Sequence, residues 1–275
     1  MLSLRQAIDQ LNTKFPRSAI GAFRITDMTD LHGVMRAAME TRRPCIMMTG
    51  ADTVSYMGIH FAREMFQAAT LTSPVPLYLM LDHSESVETC SECIDNGFSL
   101  VMFDGSALSF DENVRRTRDV VRIAHARGVL VEAEIGREDG RAIDPQEAKR
   151  FWEETGADLL ALSFGTAHDR HAEAPRLDLE LLRAARQLTD APLVMHGTTG
   201  VPDDDIRAAI AAGVKKVNVG AELEQAYTQA VREGVARMEA EIDPRRIMGP
   251  ARDAVQRAVQ ERLAVLGTPR ADEMA

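Results

Sequence analysis

The chain has 275 residues, 45% apolar and 27% charged, a balance that places it among folded soluble proteins and excludes a disordered chain. A formal charge of −10, with no basic run to offset it, argues against a duty on nucleic acid or an anionic membrane and points to small-molecule partners. No window approaches the ~20 apolar residues of a spanning helix, and the N-terminus reads as an amphipathic stretch rather than a signal core, so the expected location is the cytoplasm.

One pattern repeats along the chain: a short apolar run, a polar turn, then an amphipathic helix. The runs are Ala19–Ile25, Cys45–Gly50, Leu77–His83, Leu100–Asp104, Val129–Gly136, Asp158–Ser163, Pro192–Gly197 and Val214–Val219. Helices are predicted between and after them at Thr29–Glu40, His60–Ala69, Val87–Asn96, Glu112–Ala126, Pro145–Glu154, Asp178–Leu188, Asp203–Ala212 and Glu222–Ala240. Nearly all-apolar strands that alternate with helices form a parallel sheet covered on both faces, and eight units favour a closed (β/α)8 TIM barrel over an open sheet. With no linker or low-complexity block, residues 1–275 read as one domain. An extra C-terminal helix is expected over residues 249–266, and a frayed tail over 267–275.

Cys45, Cys90 and Cys93 are too few, and odd in number, for a disulfide framework. Cys90 and Cys93 form a CxxC within a predicted helix, and no second CxxC completes a zinc site. They read as two small residues on one helical face.

The polar residues carry more information. Side chains at the C-terminal ends of barrel strands converge on one mouth, and nearly every run here ends in one. Asp82 and His83 end the third run, Asp104 the fourth, Glu132 and Glu134 the fifth, His196 the seventh and Asn218 lies in the eighth, while the sixth leads through Gly165-Thr166 to His168. Imidazoles from three strands, His83, His168 and His196, make the ligand set of an open catalytic zinc site or a similar divalent metal. His32, His60 and His125 lie on or beside helices and His171 in the loop after the sixth run, so none of these is assigned a role. Glycine-rich turns after the seventh and eighth runs, Gly197-Thr198-Thr199-Gly200 and Val219-Gly220-Ala221, each open a helix and suit a phosphate cradle, although ordinary turns also use such residues.

With these motifs in this order, the chain resembles class II fructose-bisphosphate and tagatose-bisphosphate aldolases along nearly its whole length. The segments that carry the resemblance are Leu81-Asp82-His83, Val131-Glu132-Ala133-Glu134-Ile135-Gly136, Gly165-Thr166-Ala167-His168 and His196-Gly197. The resemblance implies a lyase that cleaves or forms a carbon–carbon bond of a ketose phosphate, ketose bisphosphate or related ketose, with dihydroxyacetone phosphate as the expected donor or product. It implies Zn2+ or another divalent metal on His83, His168 and His196, and Asp82 as the acid/base for the aldehyde-derived hydroxyl. Asn218 would touch the ketose, with Gly197, Thr198, Thr199, Val219, Gly220 and Ala221 around it. Glu134 and Asp104 either bind a metal, including a second cation, or hydrogen-bond to a histidine. A homodimer or homotetramer is expected. Arg245, Arg246 and Arg252, near the last helix, either reach a neighbour's site or are solvated charges.

Several positions depart from the family pattern. Asp169 stands where the family has Gly, close to the expected donor phosphate. Gly220-Ala221 lack a side chain that normally helps hold that phosphate. Arg24 replaces an Asn and would pair with Asp169 or recognise an extra anionic group on the substrate. The loop after the fifth run is short, leaving Glu138 as the candidate to remove the donor proton. Two other functions use the same residues differently. A metal-dependent isomerase or epimerase shares the enediolate chemistry without cleavage, and a non-catalytic aldolase-like subunit would keep only the barrel.

Overall fold

The computed structural model describes residues 2–136, 143–165 and 177–274. Eight parallel strands close into a barrel in sequence order: β1 (Ile20–Arg24), β2 (Cys45–Gly50), β3 (Leu77–Ser84), β4 (Leu100–Asp104), β5 (Leu130–Ile135), β6 (Leu159–Leu162), β7 (Leu193–Met195) and β8 (Val214–Val219). Helices α1 (Leu4–Thr13), α2 (Met28–Thr41), α3 (Ala51–Met57), α4 (Ile59–Thr72), α5 (Val87–Asp95), α6 (Phe110–His125), α7 (Pro145–Thr155), α8 (Leu179–Leu188), α9 (Asp203–Ala211), α10 (Ala221–Arg237) and α11 (Pro244–Leu266) surround it. This is the expected (β/α)8 TIM barrel. No described helix is long and apolar enough to cross a membrane.

Strand alternation splits the core into two layers. Ile20, Ala22, Met48, Met80, Met102, Leu130 and Ala161 form one buried cluster inside the barrel, whereas their strand neighbours Phe23, Met47, Leu79, Val101 and Val131 join the helices in the other. The inner cluster is closed at the N-terminal end by α1, whose Leu4, Ala7, Ile8 and Leu11 recur at helical spacing and pack into it. Ser3 and Gln6 form a reciprocal capping box that starts this helix. With the bottom filled by apolar side chains, the polar ends of the strands can open only at the top.

Two expectations at the C-terminus need correction. The last helix starts at Pro244, not 249, because Asp243 caps it and Pro244 fits its first position, so Gly249-Pro250 lies inside the helix. The helix approaches α2 closely at Gly33, where a Cβ would meet Arg252 O at 2.8 Å. The tail is also not frayed over its described length. Thr268 Oγ1 donates to Ala19 O at 2.6 Å, Ala271 N to Arg42 O at 2.7 Å, and Met274 is fully buried in the inner cluster beside α1. Cys90 and Cys93 lie on α5 as buried free thiols, each pushed up to about 12 by burial, so the CxxC is packing material.

Candidate active site

Alternation alone would place Asp82 inside the barrel and turn His83 outward. The structure departs from it here: His83 has φ 39°, and the β3–β4 register shifts between Leu81 and Ser84. A left-handed histidine is uncommon and strained by about 1–3 kcal/mol. Its effect is to bring two consecutive residues to one mouth.

His83 Nδ1 lies 2.7 Å from Asp104 Oδ2, and Asp104 Oδ1 accepts from Ser106 N and Oγ. On the other side, His196 Nε2 lies 2.8 Å from Glu132 Oε1. A carboxylate can only accept, so these contacts place protons on His83 Nδ1 and His196 Nε2. The remaining ring nitrogens, His83 Nε2 and His196 Nδ1, then face each other at 3.0 Å, and these contacts place no proton on either. Such an arrangement requires a proton or a cation between them. Two nitrogen ligands on a tetrahedral ion with bonds of about 2.0–2.1 Å lie about 3.3 Å apart, close to what is seen.

A third group points the same way. Glu134 Oε2 is buried, has no hydrogen-bond partner among the described residues, and lies 3.9 Å from both His83 Nδ1 and His196 Nδ1. Burial raises its pKa above the usual carboxylate range. Asp82, His83 and His196 form one group of potential ligand atoms, and His83, Asp104 and Glu134 another, all within 4.8 Å of each other. The donor set therefore fits a divalent cation.

The charges around His83 are strongly coupled. Burial opposes its protonation, but the bond to Asp104 and the charges of Asp82 and Glu134 outweigh it and push the pKa up to about 9. Burial likewise opposes ionisation of Asp104, which the bonds from His83 and Ser106 hold well below its ordinary range. Glu132, wholly buried, is lowered to about 2 against the effect of burial, chiefly by Lys216 and then by His196.

A cavity of about 170 Å³ opens above this cluster, lined by Asp82, His83, Asn218 and the turns Gly197–Thr199 and Gly220–Ala221. Asn218 Nδ2 donates to Asp82 Oδ1 at 3.0 Å. Thr198 Oγ1 donates to Asn218 O at 2.9 Å and ties the two turns together, while Gly197 takes the left-handed backbone, φ 64°, that the first turn needs. Helices α9 and α10, which follow these turns, have no side-chain cap hydrogen bond. A larger cavity of about 400 Å³ beside the mouth is lined by Ser106, Phe110, Asn113 and Glu147 and carries none of the histidines.

Not every predicted residue sits as expected. Val219 belongs to the outer core layer and is fully buried, because alternation turns it away from the side that Asn218 faces. Only its backbone is available to a ligand. Arg24 does line the cavity, but its Nη2 bonds both oxygens of Asp52, at 3.0 and 2.8 Å, and its Nε pairs with Glu224 at 3.2 Å. The expected partner Asp169 lies outside the described residues, as do Glu138, Thr166, His168 and His171. Arg245, Arg246 and Arg252 each pair with an acid of their own chain, Asp243, Glu241 and Asp253. His60 and His125 bond Asn96 and Asp158, away from the mouth.

Sequence reasoning missed Lys216 and gave Glu132 no role. Lys216 Nζ lies 2.8 Å from Glu132 Oε2 and donates to Asn218 Oδ1. The available signal was parity: Lys216 stands two residues before Asn218 in a buried strand, on the same side.

Residues 7–270 match the family described as fructose-bisphosphate aldolase class-II. The chain is 36% identical to a fructose-bisphosphate aldolase of Geobacillus stearothermophilus, covering 98% of this chain and 97% of that one. It is 33% identical to a fructose-bisphosphate aldolase of Giardia intestinalis, covering 98% and 93%. Among solved structures, the YdjI aldolase from Escherichia coli K12 superposes with a TM-score of 0.87 at 30% identity over 99% of both chains. Barrel, mouth and relatives agree, and the chain belongs to the class II fructose-bisphosphate aldolase family, a family of lyases.

Proposed function

We propose that the protein is a metal-dependent aldolase that cleaves or forms a carbon–carbon bond of a ketose phosphate or bisphosphate, with dihydroxyacetone phosphate as donor. The observation that carries this reading is the pair of imidazole nitrogens, His83 Nε2 and His196 Nδ1, facing each other at 3.0 Å beside the buried Glu134 Oε2 and next to Asp82. His83 and His196 would hold the ion, zinc being the best match to imidazole ligands, with His168 as the third ligand and Glu134 available to it or to a second cation. When bound, the ion supplies Lewis acidity to the oxygens of the ketone donor.

The chain's own residues do the rest. Asp82, oriented by the Asn218 amide, moves the proton of the hydroxyl that becomes the aldehyde oxygen. Glu138 takes the donor-carbon proton. Backbone N–H groups of Gly197, Thr198, Thr199, Gly220 and Ala221 receive the donor phosphate at the starts of α9 and α10. Arg24 forms the cavity wall on the β1 side. We place the enzyme in the cytoplasm as a homodimer or homotetramer.

The test is exchange of the donor proton of dihydroxyacetone phosphate into deuterated water, followed by NMR with zinc-loaded protein and a chelated control. Zinc-dependent exchange that His196→Ala abolishes supports the reading, and no exchange by folded, zinc-loaded protein refutes the donor. Epimerised products without any aldehyde would assign the chemistry to an isomerase instead.

A further inference from the structure

The least expected side chain in the barrel is Lys216. It sits in β8, paired in register with Ile20 of β1, and faces the barrel interior with no exposed surface. Burying an ammonium and a carboxylate together seldom adds stability, since apolar side chains of similar volume usually serve as well or better. Its two partners suggest another reason for its presence. One is Glu132, which orients His196, and the other is Asn218, which orients Asp82.

An ammonium has donors and no acceptor, so the atom of Asn218 that it meets must be Oδ1. That fixes the amide: Nδ2 is turned to Asp82 Oδ1 at 3.0 Å. Without Lys216 the amide is free to flip, and the flipped form sets its oxygen against a carboxylate. The same ammonium lies 2.8 Å from Glu132 Oε2, while Glu132 Oε1 holds His196 Nε2 at 2.8 Å. This last contact keeps the lone pair of His196 on Nδ1, the nitrogen that faces His83 Nε2.

We propose that Lys216 is a positioning residue that sets two parts of the site at once, the orientation of the Asn218 amide toward Asp82 and, through Glu132, the tautomer of His196. It touches neither substrate nor metal. The proposal rests on the reading that Asp82 and His196 serve the reaction, but its consequences for the two side chains can be measured without turnover.

The test uses full-length Lys216→Met, Asn218→Ala and their double variant. In Lys216→Met we expect zinc affinity to fall about tenfold and kcat for cleavage to fall about 100-fold. In the Asn218→Ala background the same change should cost clearly less than about 100-fold more in kcat, because the amide it orients is already gone and only the route through Glu132 to His196 remains. Nitrogen NMR of labelled histidine on the zinc-free proteins should show His196 protonated at Nε2 in the parent and as a tautomer mixture in Lys216→Met. If Lys216→Met does not fold, the pair Glu132→Gln/Lys216→Met, which leaves no buried charge at either position, takes its place with the same expected loss of kcat.

A folded Lys216→Met protein that keeps its His196 tautomer, its zinc affinity and its kcat within about threefold overturns the proposal. So does a double variant in which the two losses multiply in full. If the parent protein turns over no ketose at all, the functional reading fails separately, and the histidine spectrum and zinc affinity still decide the role of Lys216.

Discussion

Asp82 and His83 are consecutive residues of one strand that face the same cavity, and the left-handed backbone of His83, φ 39°, is what allows it. The acid/base candidate and a metal-ligand candidate are thereby held side by side, with Asp82 braced from β8 by Asn218. Replacing Asp82 by Asn keeps the shape and removes the proton carrier. Cleavage should fall by roughly 10²–10⁴-fold, whereas donor-proton exchange, assigned to a different carboxylate, should fall much less. Equal losses in the two assays would remove Asp82 from its assigned step.

The facing nitrogens of His83 and His196 make a prediction about stability as well as activity. An ion that binds only the folded chain adds about 2.7 kcal/mol at a concentration 100 times its Kd. For a chain of this size that corresponds to a rise in melting temperature of roughly 5 °C. Calorimetry with and without zinc should show the rise in the parent protein and lose it in His196→Ala. An unchanged melting temperature at saturating zinc would mean that these histidines hold no ion.

Much of this architecture was legible in the sequence because buried parallel strands announce themselves as apolar runs. β2, β4 and β8 match the predicted limits residue for residue. Among the elements missed, α3 is seven residues long, follows Gly50 directly and has no side-chain cap, so nothing local marks it as a helix. That omission hid the partner of Arg24, because Asp52 lies on α3. Parity accounts for the errors on β8. Counting positions alternately along β8 would have excluded the Val219 side chain and included Lys216, and the same count fails at His83 only because its backbone is left-handed.

Arg24 shows what charge pairing does to the cavity wall. With Arg24 present, Asp52 and Glu224 are both engaged, and the three together carry one negative charge. Arg24→Ala removes the cation that faces Asp52 and Glu224 beside a site proposed for an anionic substrate, and each 1.4 kcal/mol of added repulsion is tenfold in affinity. KM for dihydroxyacetone phosphate in the exchange assay should rise at least about tenfold, with kcat changed less. Adding Asp52→Asn and Glu224→Gln should recover most of it. If the triple variant binds no better than Arg24→Ala, the effect of Arg24 is not electrostatic.

Asp30 gives the fold a pH dependence of unusual sign. It is the third residue of α2, buried, and its carboxyl accepts from Thr26 N and Oγ1 and from Asp27 N at 2.6–3.0 Å. Burial is the largest influence and the nearby charge of Asp27 adds to it, so despite these bonds the pKa rises from 3.8 to about 6. Between those values the folded chain binds more protons here than the unfolded chain, which makes the slope of stability against pH negative. Unlike a salt-bridged carboxylate, Asp30 stabilises the folded chain less as pH rises from about 4 to about 6, by at most about 3 kcal/mol. Above that window the loss is complete and constant. Denaturant melts at pH 4, 5, 6 and 7 on the parent and Asp30→Asn, compared pairwise so that other titrating groups cancel, should show the variant gaining on the parent across the window. A pairwise difference that stays flat would mean that Asp30 ionises normally in the folded chain.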